Sequence, residues 1–133
     1  MKREIDNKKD MKEELGKLIK LNREKKGETQ RGLAKTIDLP NSNLKYIEDG
    51  INAPSPKVYK NIILFLKPSD EDRGRMDYLY SQIRGTPPPD ICEIIMKNPN
   101  LYGVLRTVGI ETKISDNQVE KFAEIISIEN RGE

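Results

Sequence analysis

Apolar residues along this chain recur three and four positions apart, and nowhere do apolar and polar residues alternate for the length of a strand. That periodicity predicts helices and an all-α fold. Residues 1–10 mix basic and acidic side chains without pattern and read as a flexible arm. Asp10-x-x-Glu13 resembles a capping box and is expected to open a first helix that runs to about Lys26 and stops at Gly27. Its apolar positions, Met11, Leu15, Leu18, Ile19 and Leu21, form more than one narrow stripe, so Leu18 and Leu21 need a cover of their own. Thr29 opens a second helix, Gln30 to Ile37. Asp38-Leu39-Pro40 makes a turn, and Asn41 to Glu48 forms a third helix closed by Asp49-Gly50. Ser55 and Pro56 start a fourth helix. Its Val58, Tyr59, Ile62, Ile63, Phe65 and Leu66 cover most of the circumference and imply deep burial. Lys67-Pro68 ends it. Ser69 caps a fifth helix whose Asp70, Glu71 and Asp72 meet the positive end of the helix dipole, and which ends at Gly85.

Thr86-Pro87-Pro88-Pro89 is the stiffest stretch and marks the expected boundary between a domain over residues 11–85 and a tail over 86–133. The tail predicts helices over Asp90–Lys97 and Asn100–Val108, then one capped by Ser115-x-x-Gln118. The last helix places Val119, Phe122, Ala123 and Ile126 on one face, widened by Ile125 and Ile128. That surplus suggests a contact beyond the chain's own core, with a second copy or another protein.

Composition narrows the chemistry. A quarter of the 133 residues are Leu, Ile, Val or Phe, enough to fold. No apolar run approaches 18 residues and no leader pattern opens the chain, so the expectation is a cytoplasmic protein with no membrane association. One cysteine and no histidine leave no internal disulfide, almost no zinc or copper site, and no Ser–His or Cys–His nucleophile pair. The expectation is a non-enzyme with no cofactor and no metal. Cys92 lies among Ile91, Ile94 and Ile95 and reads as packing. Three successive acids at 70–72 face different directions on a helix and make a poor metal cluster. The net charge of +2 is uneven: residues 1–66 hold 15 Lys and Arg against 10 acids, and residues 67–133 hold 9 against 12. A basic first half suits an anionic partner.

The informative segment is QRGLAKTIDLPNSNLKYIED, Gln30 to Asp49. Two helices joined by a short turn need an apolar contact followed by a small residue, here Leu33 and Ala34, then an apolar residue one turn on, Ile37. The turn needs a residue tolerant of positive φ, here Asp38, and then a buried one, Leu39. The second helix must return apolar residues on one face, here Leu44 and Ile47. Every required position is filled, so the segment reads as a helix-turn-helix.

LGKLIKLNREKKGETQ, LAKTIDLPNSNLKYIEDG and NAPSPKVYKNIILFL, within residues 15–66, resemble the XRE family, the lambda-repressor-like helix-turn-helix proteins of phages and bacteria. The resemblance implies a five-helix domain whose third helix enters the DNA major groove, followed here by a small helical C-terminal region. It departs at Asp38, where the family commonly has Gly, and at Gly32, where it has a long polar residue. It also implies a backbone contact by Gln30 and an internal ion pair between Arg23 and Glu48.

In such a domain the exposed residues of the third helix, Asn41, Ser42, Asn43, Lys45 and Tyr46, face base edges. Asparagine can bond both the donor and the acceptor edge of adenine. Gln30, Arg31, Lys35 and Asn52 are candidates for phosphate contact, which sets register without reading sequence. The expectation is a sequence-specific regulator of transcription, a repressor binding double-stranded DNA as a homodimer on a palindromic operator. The rival is an autoregulatory DNA-binding protein whose tail captures a toxin, a defence nuclease or a protease. A carboxylate-dependent hydrolase would need a deep pocket with two convergent acids.

Overall fold

The structure is a computed structural model that describes the backbone of residues 2–131 and the side chains of residues 7–127. The described residues are helical and connecting segments only: α1 (Lys2–Lys25), α2 (Gln30–Thr36), α3 (Asn41–Glu48), α4 (Pro56–Leu66), α5 (Asp70–Arg84), α6 (Pro89–Lys97), α7 (Leu101–Val108) and α8 (Asp116–Arg131). The all-α class holds. Two compact units divide the chain, Met1–Ile94 and Ile95–Glu133. Among the described residues no helix is long and apolar enough to cross a membrane.

The first unit carries the core. Leu15 and Ile19 of α1, Leu33 and Ala34 of α2, Leu44 and Ile47 of α3, Tyr59, Ile62, Ile63 and Leu66 of α4, and Met76, Leu79, Tyr80 and Ile83 of α5 are buried together. The expected caps form: Ser55 Oγ accepts from Val58 N and Ser69 Oγ from Asp72 N, while Gly85 ends α5 at φ 71°. The bulk of α4 is submerged as its composition required, although Leu64 faces outward. Leu18 is covered by the core and Leu21 is not.

Two expectations are corrected. The first helix begins at Lys2, not Asp10. No Gly or Pro interrupts residues 2–10, and Lys, Arg and Glu are good helix formers, so the acid expected to cap lies inside the helix. The division of the chain falls within α6, not at Gly85. Pro89 takes the first position of α6, where its missing N–H is harmless, so the proline run starts a helix as well as ending a loop. Arg73 Nη2 reaches Asp90 Oδ2 at 3.1 Å and Lys60 Nζ reaches Glu93 Oε1 at 2.6 Å, which ties the first turns of α6 to α4 and α5. Beneath them Tyr59 stacks on Tyr80, with ring centroids 4.3 Å apart, and donates its hydroxyl to Asp77 Oδ1 at 2.6 Å. Burial, with the Asp77 carboxylate beside it, pushes the Tyr59 phenol up.

α1 lies against α3, α4 and α5. Its approach to α3 is close enough to require glycine. A Cβ on Gly16 would stand 2.5 Å from the carbonyl oxygens of Ile47 and Glu48. Gly50, at φ 77°, ends α3 with its own Cα hydrogen directed at the backbone of Glu13, where a Cβ would fall 2.6 Å from Glu13 Cα.

In the second unit the expected capping box forms: Gln118 N donates to Ser115 Oγ, and Ser115 N donates to Gln118 Oε1. No residue of α7 is buried, nor any described side chain of α8. An apolar groove of about 670 Å³ is lined in part by Val104, Leu105, Val108, Ile114, Val119 and Phe122.

The glycine contacts give a paired test. Gly16→Ala should destabilise by about 1–3 kcal/mol, because the new methyl meets backbone that cannot rotate away. Gly74→Ala, on an exposed stretch of α5 with nothing within 4 Å of the added carbon, should stabilise by about 0.5–1 kcal/mol. Urea melts of both variants check the sign of each change.

Candidate nucleic-acid interface

The site is built on α2, its turn and α3. Thr29 Oγ1 accepts from Gly32 N at 3.0 Å and fixes the start of α2. A Cβ at Gly32 would meet only side-chain atoms, the mobile end of Glu28 and the Thr29 hydroxyl, so packing does not demand a glycine in this first turn. Asp38 takes the left-handed conformation at φ 54°, and Leu39 N donates back to Ala34 O at 2.9 Å. The chain then extends through Pro40 into α3. Leu33, Ala34, Ile37, Leu44 and Ile47 are buried and Leu39 packs against them, as the spacing required.

The buried charge lies where these elements meet. Arg23 donates from Nε to Glu48 Oε2 at 2.8 Å and from Nη2 to Glu48 Oε1 at 2.9 Å, a two-pronged pair with side chains 9 % and 2 % exposed. Arg23 Nη1 also reaches the Glu28 carbonyl at 2.9 Å. The hydrogen-bonded Glu48 carboxylate holds the Arg23 guanidinium above its ordinary pKa. Gln30 Nε2 donates to Glu48 Oε1 at 3.0 Å, so this half-buried residue joins the ion pair, a bond that spacing alone did not suggest.

The five candidate residues on α3 are all exposed. Pro40 is the N-cap and contributes no side-chain cap bond, while its carbonyl accepts from Asn43 N and Leu44 N. Among the described residues, the side chains of Asn41, Ser42 and Asn43 make no hydrogen bond. Capping therefore does not explain the Asn-Ser-Asn run. Tyr46 is 45 % exposed. Lys45 Nζ pairs with Asp49 Oδ2 at 2.8 Å, and that carboxylate raises the lysine's pKa. The pair is open to water and can exchange for another anion.

The flanking candidates lie on α2 and in the loop after α3. Arg31 and Lys35 stand exposed on α2, with no ion pair among the described residues. Asn52 follows α3 in a loop whose shape is set by Ile51 N and Asn52 N donating to Tyr46 O at 2.9 and 3.2 Å. Arg84 of α5 holds the same loop, donating to Ala53 O at 3.0 Å and Pro54 O at 2.9 Å. Sequence reasoning missed Arg84, for which it offers no signal. It also passed over Gly16, an isolated glycine inside a helical pattern and a legible sign of close approach.

No protein-family model matches the chain, and no curated protein or solved structure matches it.

Arg23→Ala should cost about 3–5 kcal/mol, since it strands a buried carboxylate. Replacing both partners with leucine should cost less than the sum of the two single changes. A double-mutant cycle by urea denaturation measures the difference.

Proposed function

We propose that this chain is a sequence-specific DNA-binding regulator of transcription of the lambda-repressor-like kind, a cytoplasmic repressor acting as a homodimer on a palindromic operator. The observation that carries the reading is the row of short polar side chains at the amino end of α3. Asn41, Ser42 and Asn43 are exposed and owe no hydrogen bond to the described fold. Such groups suit base edges, with asparagine pairing to adenine N6 and N7. Lys45 and Tyr46 extend the same face. Arg31, Lys35 and Asn52 would hold phosphates on either side, and Gln30, one of whose amide hydrogens goes to Glu48, retains a second for the backbone. Repression is occlusion of a promoter and needs no catalytic group.

A single helix reads too few base pairs for discrimination in a genome, so two copies related by a two-fold axis would engage half-sites about 34 Å apart. The candidate dimer face is the α8 stripe of Val119, Phe122, Ala123 and Ile126, all exposed. Ile128, assigned to the same stripe, lies outside the described side chains. The apolar groove beside Val119 and Phe122 equally favours the second reading, in which the tail holds a different protein.

DNA affinity should fall steeply between low and physiological salt, as anisotropy titration reads directly. On a site selected from a random pool, Asn43→Ala should lose about 1–3 kcal/mol while keeping its affinity for random DNA. Arg31→Ala should weaken both alike. Equal behaviour of the two variants would remove α3 from the groove.

Truncation after Ile114 should convert a dimer to a monomer in light scattering. A truncated chain that stays dimeric moves the interface off α8.

A further inference from the structure

We infer that the early turns of α1 and the turn after α3 form a ledge for DNA phosphates, continuing the contact past the carboxyl end of α3. The inference rests on the DNA-binding reading above and extends its surface. A groove of about 430 Å³ is lined by Lys8, Lys9 and Lys12 of α1 and by Asp49, Gly50 and Ile51 after α3. Among the described residues none of these lysines is in an ion pair. The groove also holds two acids, Glu13 and Asp49. Three lysines outweigh these two acids, and Asp49 has Lys45 beside it at 2.8 Å.

Three features give the ledge its occupant. The first is continuity: Asp49 lines the groove and touches Lys45, so the α3 face and the lysines share a border. The second is fixed placement. The Gly50 and Gly16 approaches seat α1 against the end of α3, so the lysines stand on a helix held by backbone packing. The third is spacing. Lys8 and Lys12 are one turn apart, about 6 Å along the axis, so the two residues stand in a row along one face of α1. A small anion needs donors that converge on one point. A line of cations suits the successive phosphates of a duplex backbone.

Each phosphate neutralised contributes about 0.9 to the slope of log affinity against log salt. The test uses the full chain with Lys8→Gln, Lys9→Gln and Lys12→Gln combined, a change that preserves helix propensity. A duplex of random sequence is titrated by anisotropy across a salt series. A second combined variant, Lys67→Gln, Lys97→Gln and Lys113→Gln, removes the same charge from exposed lysines elsewhere. Thermal melts by circular dichroism establish that both are folded.

The ledge variant should lower the slope by about two to three, and the second variant by less than one. Arginine at positions 8, 9 and 12 should restore the slope. Equal changes in the two variants would show a general charge effect and overturn the ledge. A steep wild-type slope that the ledge variant leaves intact would overturn the ledge and leave the DNA reading standing. A wild-type chain that binds no duplex removes both.

Discussion

The Glu48 carboxylate sits at the carboxyl end of α3, where the helix dipole already concentrates negative charge, and its side chain is 2 % exposed. Left alone there it would cost several kcal/mol. The fold answers with one cation and one amide. Arg23 brings α1, Gln30 brings the first residue of α2, and Glu48 brings the last residue of α3. Three helices are thereby fixed at one point by directional bonds, where apolar packing alone would allow them to slide. The backbone contact of Gly16 and Gly50 with α3 and α1 secures the same junction from its other side. The candidate face depends on this junction, because α3 has only eight residues and little stability of its own.

Much of this was legible because it is local. Helix caps at Thr29, Ser55, Ser69 and Ser115 need only a hydroxyl and a nearby N–H, and all form. The turn at Asp38 and the buried set around it follow from spacing. What the sequence did not reveal is long-range. Asp90 and Glu93 find Arg73 and Lys60 across the proline run, and those partners decide that the first turns of α6 stay with the first unit. Arg84 reaching the carbonyls of Ala53 and Pro54 is of the same kind. The start of α1 is a local matter of the opposite kind: Asp10 can cap a helix, but no breaker precedes it, and the helix runs back to Lys2.

The two units differ in how they satisfy themselves. The first has a core that runs through α1 to α5. The second offers apolar side chains on α7 and α8 without burying any that are described; Phe122, for example, is 57 % exposed. Surface of that character is costly in water and suits a protein neighbour.

The unbonded state of Asn41, Ser42 and Asn43 has an evolutionary consequence. Side chains that support nothing can be exchanged at almost no cost to folding, so a lineage can explore new combinations at these positions one substitution at a time. The charge lock beneath permits no such drift, since changing Arg23 or Glu48 singly strands its partner. Variation among descendants of this chain should therefore concentrate on the outer face of α3, while the residues that hold the helix in place stay the same.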